Sequence, residues 1–298
     1  AKISPGLLLI AAAGSAPGAA ERAPATASVA ASVAPPVPAG AGLAEMFEKY
    51  DAAQLSLSPQ GKAYRGIRDG DYGRWNDVSD EAAVASHKLQ QATAKAMRGG
   101  FDPAALSADD ALSFALFEAQ AARAERLFPF RNHGYVFDQM NGAQSQMPAF
   151  LINIHRVSSA TEAEAYVERI RGLGPILDAL SAQSAERAAG GIQPPKWVYA
   201  YVISDIDNIR KPDNAVIEDF TAKVGKLDVD PAEKARLIAA AKTAWNESAG
   251  PGYDRLLIEM KRQQASAPTE DGIWRLPEGK AYYEALLANY TTTDMTAA

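Results

Sequence analysis

Cysteine is absent from this 298-residue chain, and with it every disulfide framework, thiolate nucleophile and cysteine-ligated zinc. Histidine is scarce: His87, His133 and His155 stand far apart, and none forms an H-E-x-x-H or H-x-x-x-H pair that would set two imidazoles on one helical face. A histidine-rich metal site cannot be built locally. Blocks of like charge are missing too. Lys plus Arg total 30 against 36 for Asp plus Glu, a net charge of -6, so there is no basic face to displace counterions from phosphates and no nucleic-acid partner is expected. No stretch approaches the roughly 18 apolar residues a bilayer-spanning helix needs, so stable membrane insertion is not expected. The G-x-S-x-G elbow, the Walker loop and the dinucleotide fingerprint are likewise missing.

Several features are present. Lys2 precedes the apolar run Leu7–Ala13, and small residues continue to Ala20, the layout of a secretory signal over residues 1–20; an Ala-rich tail is the plainer alternative. Residues 21–42 are mostly Ala, Pro, Ser and Val with almost no charge, which predicts a flexible linker. These two segments imply an exported protein, periplasmic or extracellular. The folded part is expected over 43–298.

There the apolar period is helical. Leu43, Met46, Phe47 and Tyr50 share one face. Ser79 is a candidate N-cap for a helix closing on Gly99 and Gly100 in a left-handed C-cap, and Ser107 for the next, with Asp109 and Asp110 in its first turn. Thr161 with Glu164 predicts a capping box ahead of the stripe Tyr166, Ile170, Leu173, Ile176, Leu177 and Leu180, which Gly174-Pro175 should kink or break. Asp230-Pro231 opens a helix to about Glu247, and another follows Pro251. Residues 131–157 carry Gly, Pro, Asn and Gln punctuation and predict a long loop with at most a small hairpin. The expected class is an all-α multi-helix array.

Few groups stand out as chemistry. Asp205-Ile-Asp207-Asn208 lacks the glycine and terminal glutamate of a calcium loop and fits a solvated helix end better. His133 and His155 could hydrogen-bond a substrate, though a structural role is preferred, and His87 reads as surface. Gln139, Asn141, Gln144 and Gln146 crowd one segment, which either wraps its own backbone or lines a polar cleft. Tyr282, Tyr283 and Tyr290 raise the same choice between ligand contact and the rim of a core stripe.

Three stretches, "LSLSPQGKAYRGIRDGDYGRWNDVSDEA" (55–82), "QMNGAQSQMPAFLINIHRVSSATEAEAYVERI" (139–170) and "LPEGKAYYEALLANYTTTDMT" (276–296), together resemble the N-terminal half of the DUF885 proteins, with "WVYAYVISDIDNIRKPDN" matching only loosely. The resemblance implies a helical fold similar to gluzincin-like zinc peptidases. It also implies an H-E-x-x-P-G-H motif in the C-terminal half, whose histidines and a downstream glutamate would hold zinc while its own glutamate activates water. That motif is not in this sequence, so the chain is expected to be a fragment or N-terminal chain of a longer protein, inactive alone and binding no zinc itself. By resemblance it forms one wall of a cleft for a peptide or other amide substrate, with Gln139, Asn141, Tyr282 and Tyr283 orienting substrate and the C-terminal half as intramolecular partner. The alternatives are a non-catalytic helical binding protein of the cell envelope, or a helical partner subunit of a separate catalytic chain.

Overall fold

The structure, a computed structural model, describes residues 42–293 and 295–296. The expected leader over 1–20 and all but the last residue of the expected linker lie outside the described residues. The fold is all-α, with no strand among the described residues. In chain order the helices are α1 (Leu43–Ser56), α2 (Pro59–Tyr64), α3 (Asp80–Gly100), α4 (Ala108–Leu127), α5 (Ala143–Asn153) and α6 (Ala160–Ala189). They continue with α7 (Lys196–Ile209), α8 (Ala215–Gly225), α9 (Pro231–Ala244), α10 (Gly250–Ser266) and α11 (Gly279–Thr291); a π-helical turn, Trp245–Ala249, joins α9 to α10.

Local chemistry starts most of these helices. The hydroxyls of Ser79 and Ser107 accept the Ala82 and Asp110 N–H groups, and the carboxylate of Asp230 accepts that of Ala232, each satisfying a donor that the first helical turn leaves open. The predicted box at Thr161 and Glu164 falls two residues late. Ser159 caps α6 by accepting from Glu162 N–H, and the Glu162 carboxylate reaches back to the Ser158 N–H and hydroxyl. The predicted left-handed cap at Gly99 and Gly100 does not form: both lie inside α3, which ends on an extended Phe101.

The chain forms two compact units. One comprises the described residues of Ala1–Leu57, Ser79–Asn132 and Lys280–Ala298. Its core joins α1, α3 and α4 through Leu43, Met46, Met97, Phe114 and Phe117, with Phe47 and Tyr50 closing on Phe117 at ring distances of 5.2 and 5.0 Å. The other, Ser58–Val78 with His133–Gly279, is built on α6, whose stripe Tyr166, Ile170, Leu173, Leu177 and Leu180 is buried as its spacing requires. α9, the π turn and α10 pack against α6.

Two prolines lie inside helices of this second unit, Pro148 in α5 and Pro175 in α6. The expected loop at 131–157 is helical over α5, and α6 runs unbroken through Gly174-Pro175. A Gly–Pro pair costs a helix interior about 4 kcal/mol. Ile170, Leu173 and Leu177 are fully buried, and at about 1.5–3 kcal/mol each they outweigh it. Each proline also leaves the carbonyl four residues earlier without its usual N–H donor. The structure fills both vacancies from outside the helix. Tyr253 OH of α10 donates to Gln144 O at 3.1 Å, and Ser248 Oγ of the π turn donates to Arg171 O at 2.6 Å. Gly174 permits the second contact, because a Cβ there would lie 2.5 Å from Ser248 Oγ and 2.6 Å from Ser248 O.

Candidate functional site

The amide-rich segment is a turn followed by α5. Asp138 Oδ1 accepts the N–H groups of Met140 and Asn141, both at 2.6 Å, and locks the turn that carries Gln139 and Asn141 into solvent. Gly142 must be glycine, because a Cβ would lie 2.0 Å from Gln144 Oε1 and 2.4 Å from Asp138 N. Gln144 is the buried amide. Its Nε2 donates to Asp138 O at 2.6 Å and to Asp205 Oδ2 at 3.2 Å, while its Oε1 is buried without a hydrogen-bond partner. The segment therefore wraps its own backbone through Asp138 and Gln144 and leaves two primary amides, those of Gln139 and Asn141, displayed on a rigid turn. Asp205 is committed to Gln144, and Asp207 to Arg210, which also holds Asp254 at 2.9 Å; they form no cation loop.

Further along, the apolar stripes of α6 and α10 turn polar. Ser184 and Arg187 continue the α6 stripe beyond Leu180, and Gln263 continues Met260. With Tyr135, Phe137 and Tyr199 they line a small hollow. Tyr199 OH donates to Gln263 Oε1 at 3.0 Å, Ser184 Oγ lies 3.2 Å from the same oxygen, and Gln263 Nε2 reaches Glu259 at 2.7 Å. Arg187 holds Gly134 O, and Arg275 donates to Tyr135 OH at 3.0 Å. Burial pushes the hydroxyls of Tyr135 and Tyr199 above the ordinary tyrosine range, so both stay protonated donors. Ser184 has an amide rather than a base as its neighbour, so the cluster can orient a polar group but does not activate a nucleophile.

The three histidines are engaged separately. His87 is not the surface residue expected: its ring stacks on Phe128 at 3.9 Å and meets Glu125 at 2.9 Å. His133 Nε2 lies 3.0 Å from Pro277 O. His155 is fully buried between Arg169 Nη1, 2.8 Å from Nδ1, and Glu162 O, 3.1 Å from Nε2. Arginine can only donate, so Nδ1 accepts and Nε2 carries the proton. Burial, reinforced by the Arg169 cation, lowers the His155 pKa to about 3. Arg169 is itself buried, its pKa lowered to about 10, with Tyr72, Trp75 and Phe150 ring centroids 5.2, 5.8 and 4.7 Å away and no carboxylate ion pair among the described residues. Lys223 closes the same region, donating to Leu151, Ile152 and His155 carbonyls at 2.8–3.0 Å and pairing with Asp219 at 2.7 Å.

These groups do not suit zinc. Among the described residues no three of His, Asp or Glu come together to hold a metal ion. Tyr282 and Tyr283 lie on α11, in the other compact unit from Gln139 and Asn141. Tyr282 is half-buried with its ring 5.6 Å from Phe130, whereas Tyr283 and Tyr290 are exposed. No described helix is long and apolar enough to cross a membrane.

The family model of a bacterial protein of unknown function, DUF885, matches residues 59–298. No curated protein matches. A crystal structure from Colwellia psychrerythraea, of a protein provisionally described as a lipoprotein, is similar with a TM-score of 0.73 at 16% identity, over 85% of this chain and 46% of that protein. At that identity the likeness is one of fold. This chain spans less than half the length of that protein.

Proposed function

Since the chain belongs to the DUF885 family of bacterial proteins, we propose that it supplies the substrate-contacting helical half of an exported zinc-dependent hydrolase acting on peptides or other amides. The observation behind this reading is the turn that Asp138 locks. It fixes the backbone that carries Gln139 and Asn141 as exposed primary amides, and a peptide backbone offers the matching donors and acceptors. Within the same unit, Tyr135, Tyr199 and Gln263 add a second polar surface. On this reading the zinc and the water-activating glutamate come from the H-E-x-x-P-G-H motif that the family resemblance implies and this sequence lacks. The half-length match to the similar structure is compatible with such a division.

The test has two parts. Calorimetric titration of the chain with an uncharged extended peptide, such as N-acetylated, C-amidated hexa-alanine, should show binding that Gln139→Ala and Asn141→Ala each weaken, by about two- to tenfold for one hydrogen bond. Metal analysis should find no stoichiometric zinc. Zinc bound by this chain, or chelator-sensitive peptide turnover by it, would overturn the placement of the metal; unweakened binding in both variants would overturn the role of the turn. Peptide binding with no hydrolysis by any longer protein carrying this half would favour a non-catalytic envelope binding protein.

A further inference from the structure

Two of the four tryptophans are left in solvent, both in the second unit, where the start of α7 meets the segment 268–276. Trp197 is 48% exposed and Trp274 76% exposed, and Tyr201, one turn beyond Trp197 on α7, is 59% exposed. Trp197 and Tyr201 meet edge to face at 6.1 Å. Both tryptophans are fastened to Asp271-Gly272. The indole N–H of Trp197 donates to Asp271 Oδ1 at 2.8 Å, and the Trp274 ring occupies the place of a Gly272 Cβ, which would lie 2.2 Å from it. Gly272 also has φ of +105°, so a side chain there is excluded both by space and by backbone.

The segment is pinned at both ends. Lys196 N–H donates to Pro268 O at 2.7 Å, Arg275 turns inward to Tyr135 OH and Gln193 O, and Leu276 is buried. The rings are thus held in place before anything binds, at the expense of exposed apolar surface that folding alone does not require. The charges beside them are Glu270 and Asp271, both exposed, and Lys196; Arg275 is taken up by its inward bonds. Aromatic faces next to two carboxylates and a single lysine attract cations.

We infer that the Trp197–Tyr201–Trp274 surface is a docking platform for a lysine- or arginine-bearing segment of a partner protein. It shares no residue with the turn at Gln139 and does not depend on the proposed hydrolase role. The test is titration of the chain with tetra-arginine at low ionic strength, followed by tryptophan fluorescence and calorimetry. Trp197→Ala and Trp274→Ala should each weaken binding about two- to fivefold. Asp271→Asn, which keeps an acceptor for the Trp197 indole, should weaken it similarly, and added salt should reduce it further. Glu45→Gln, an acidic change in the other unit, should leave it unchanged. All these residues are exposed, so circular dichroism should report intact folding. The inference is overturned if the ring variants bind as the parent does or no binding occurs. It also fails if a neutral chito-oligosaccharide binds more tightly, or if Trp197→Ala abolishes self-association instead.

Discussion

Replacing Tyr253 with Phe removes one hydroxyl from the interior of the second unit and should cost far more than the loss of an oxygen suggests. Tyr253 is fully buried and its OH is 3.1 Å from Gln144 O, the carbonyl that Pro148 leaves without its helical donor. In Tyr253→Phe that carbonyl faces no replacement. A buried polar group deprived of its partner costs about 1–3 kcal/mol, so a destabilisation of about 2 kcal/mol is expected. In a chain of this size it should lower the melting temperature by about 4–8 °C. Pro148→Ala distinguishes this cause from a simple packing effect. The alanine introduced there has an N–H that can complete the helix, so in that background Tyr253→Phe should cost only about 1 kcal/mol, the ordinary worth of a hydrogen bond whose acceptor keeps another donor. Urea denaturation of the parent, both single variants and the double variant gives the coupling directly, about 1 kcal/mol. The cycle also cancels whatever Pro148→Ala does on its own. Equal costs in the two backgrounds, within about 0.4 kcal/mol, would refute the assignment of Tyr253 to the proline vacancy.

Lys223→Met keeps the apolar stem but strips the cation from the C-terminal carbonyls of α5 and from Asp219, and should destabilise the second unit by about 2–4 kcal/mol; chemical denaturation showing less than about 1 kcal/mol would contradict it. Arg236→Ala, at an exposed ion pair with Glu164, is the matched control and should leave the denaturation midpoint nearly unchanged. For His155 the folded pKa of about 3 lies below the ordinary histidine value of 6.5, so the unfolded chain takes up its proton first. Its contribution to stability is therefore complete above about pH 6.5 and is lost as pH falls toward 3, by about 2 kcal/mol between pH 7 and pH 5. Denaturation at a series of pH values should show that loss in the parent relative to His155→Gln, where carboxylate contributions cancel; a pH-independent difference would argue against a buried neutral imidazole.

The helices whose signals are local were legible. Ser79, Ser107 and Asp230 each begin the element expected of them, and the α6 stripe is buried as its period demands. Two S/T-x-x-E patterns overlap at the start of α6, so the sequence points two residues late, and Ser159 with Glu162 prevails where Glu162 also binds Ser158 and Arg68. By sequence alone α5 reads as a loop, because glycine, proline and amides all argue against a helix locally. What stabilises it comes from Tyr253 and Lys223, which no local window contains. Of the amides, the sequence drew attention to the segment but not to the division within it, since only the fold separates buried Gln144 from exposed Gln139 and Asn141. The polar hollow left a usable trace: Ser184, Arg187 and Gln263 occupy positions where the apolar stripes predict Leu or Met. The exposure of Trp274 left none, because it follows from the backbone at Gly272.

The borrowed hydroxyls also bear on the order in which the molecule can be completed. The donor for Arg171 O is 77 residues further along the chain, and the donor for Gln144 O is 109 residues further along. A ribosome adding about 5–20 residues each second therefore exposes α5 and α6 for several seconds before their missing partners exist. Until the π turn and α10 emerge, both helices carry an open carbonyl at their proline and can fray there. A late-made part of the second unit thus closes its central helices, and a nascent chain halted before Ser248 would hold two unfinished helices in place of a smaller stable protein.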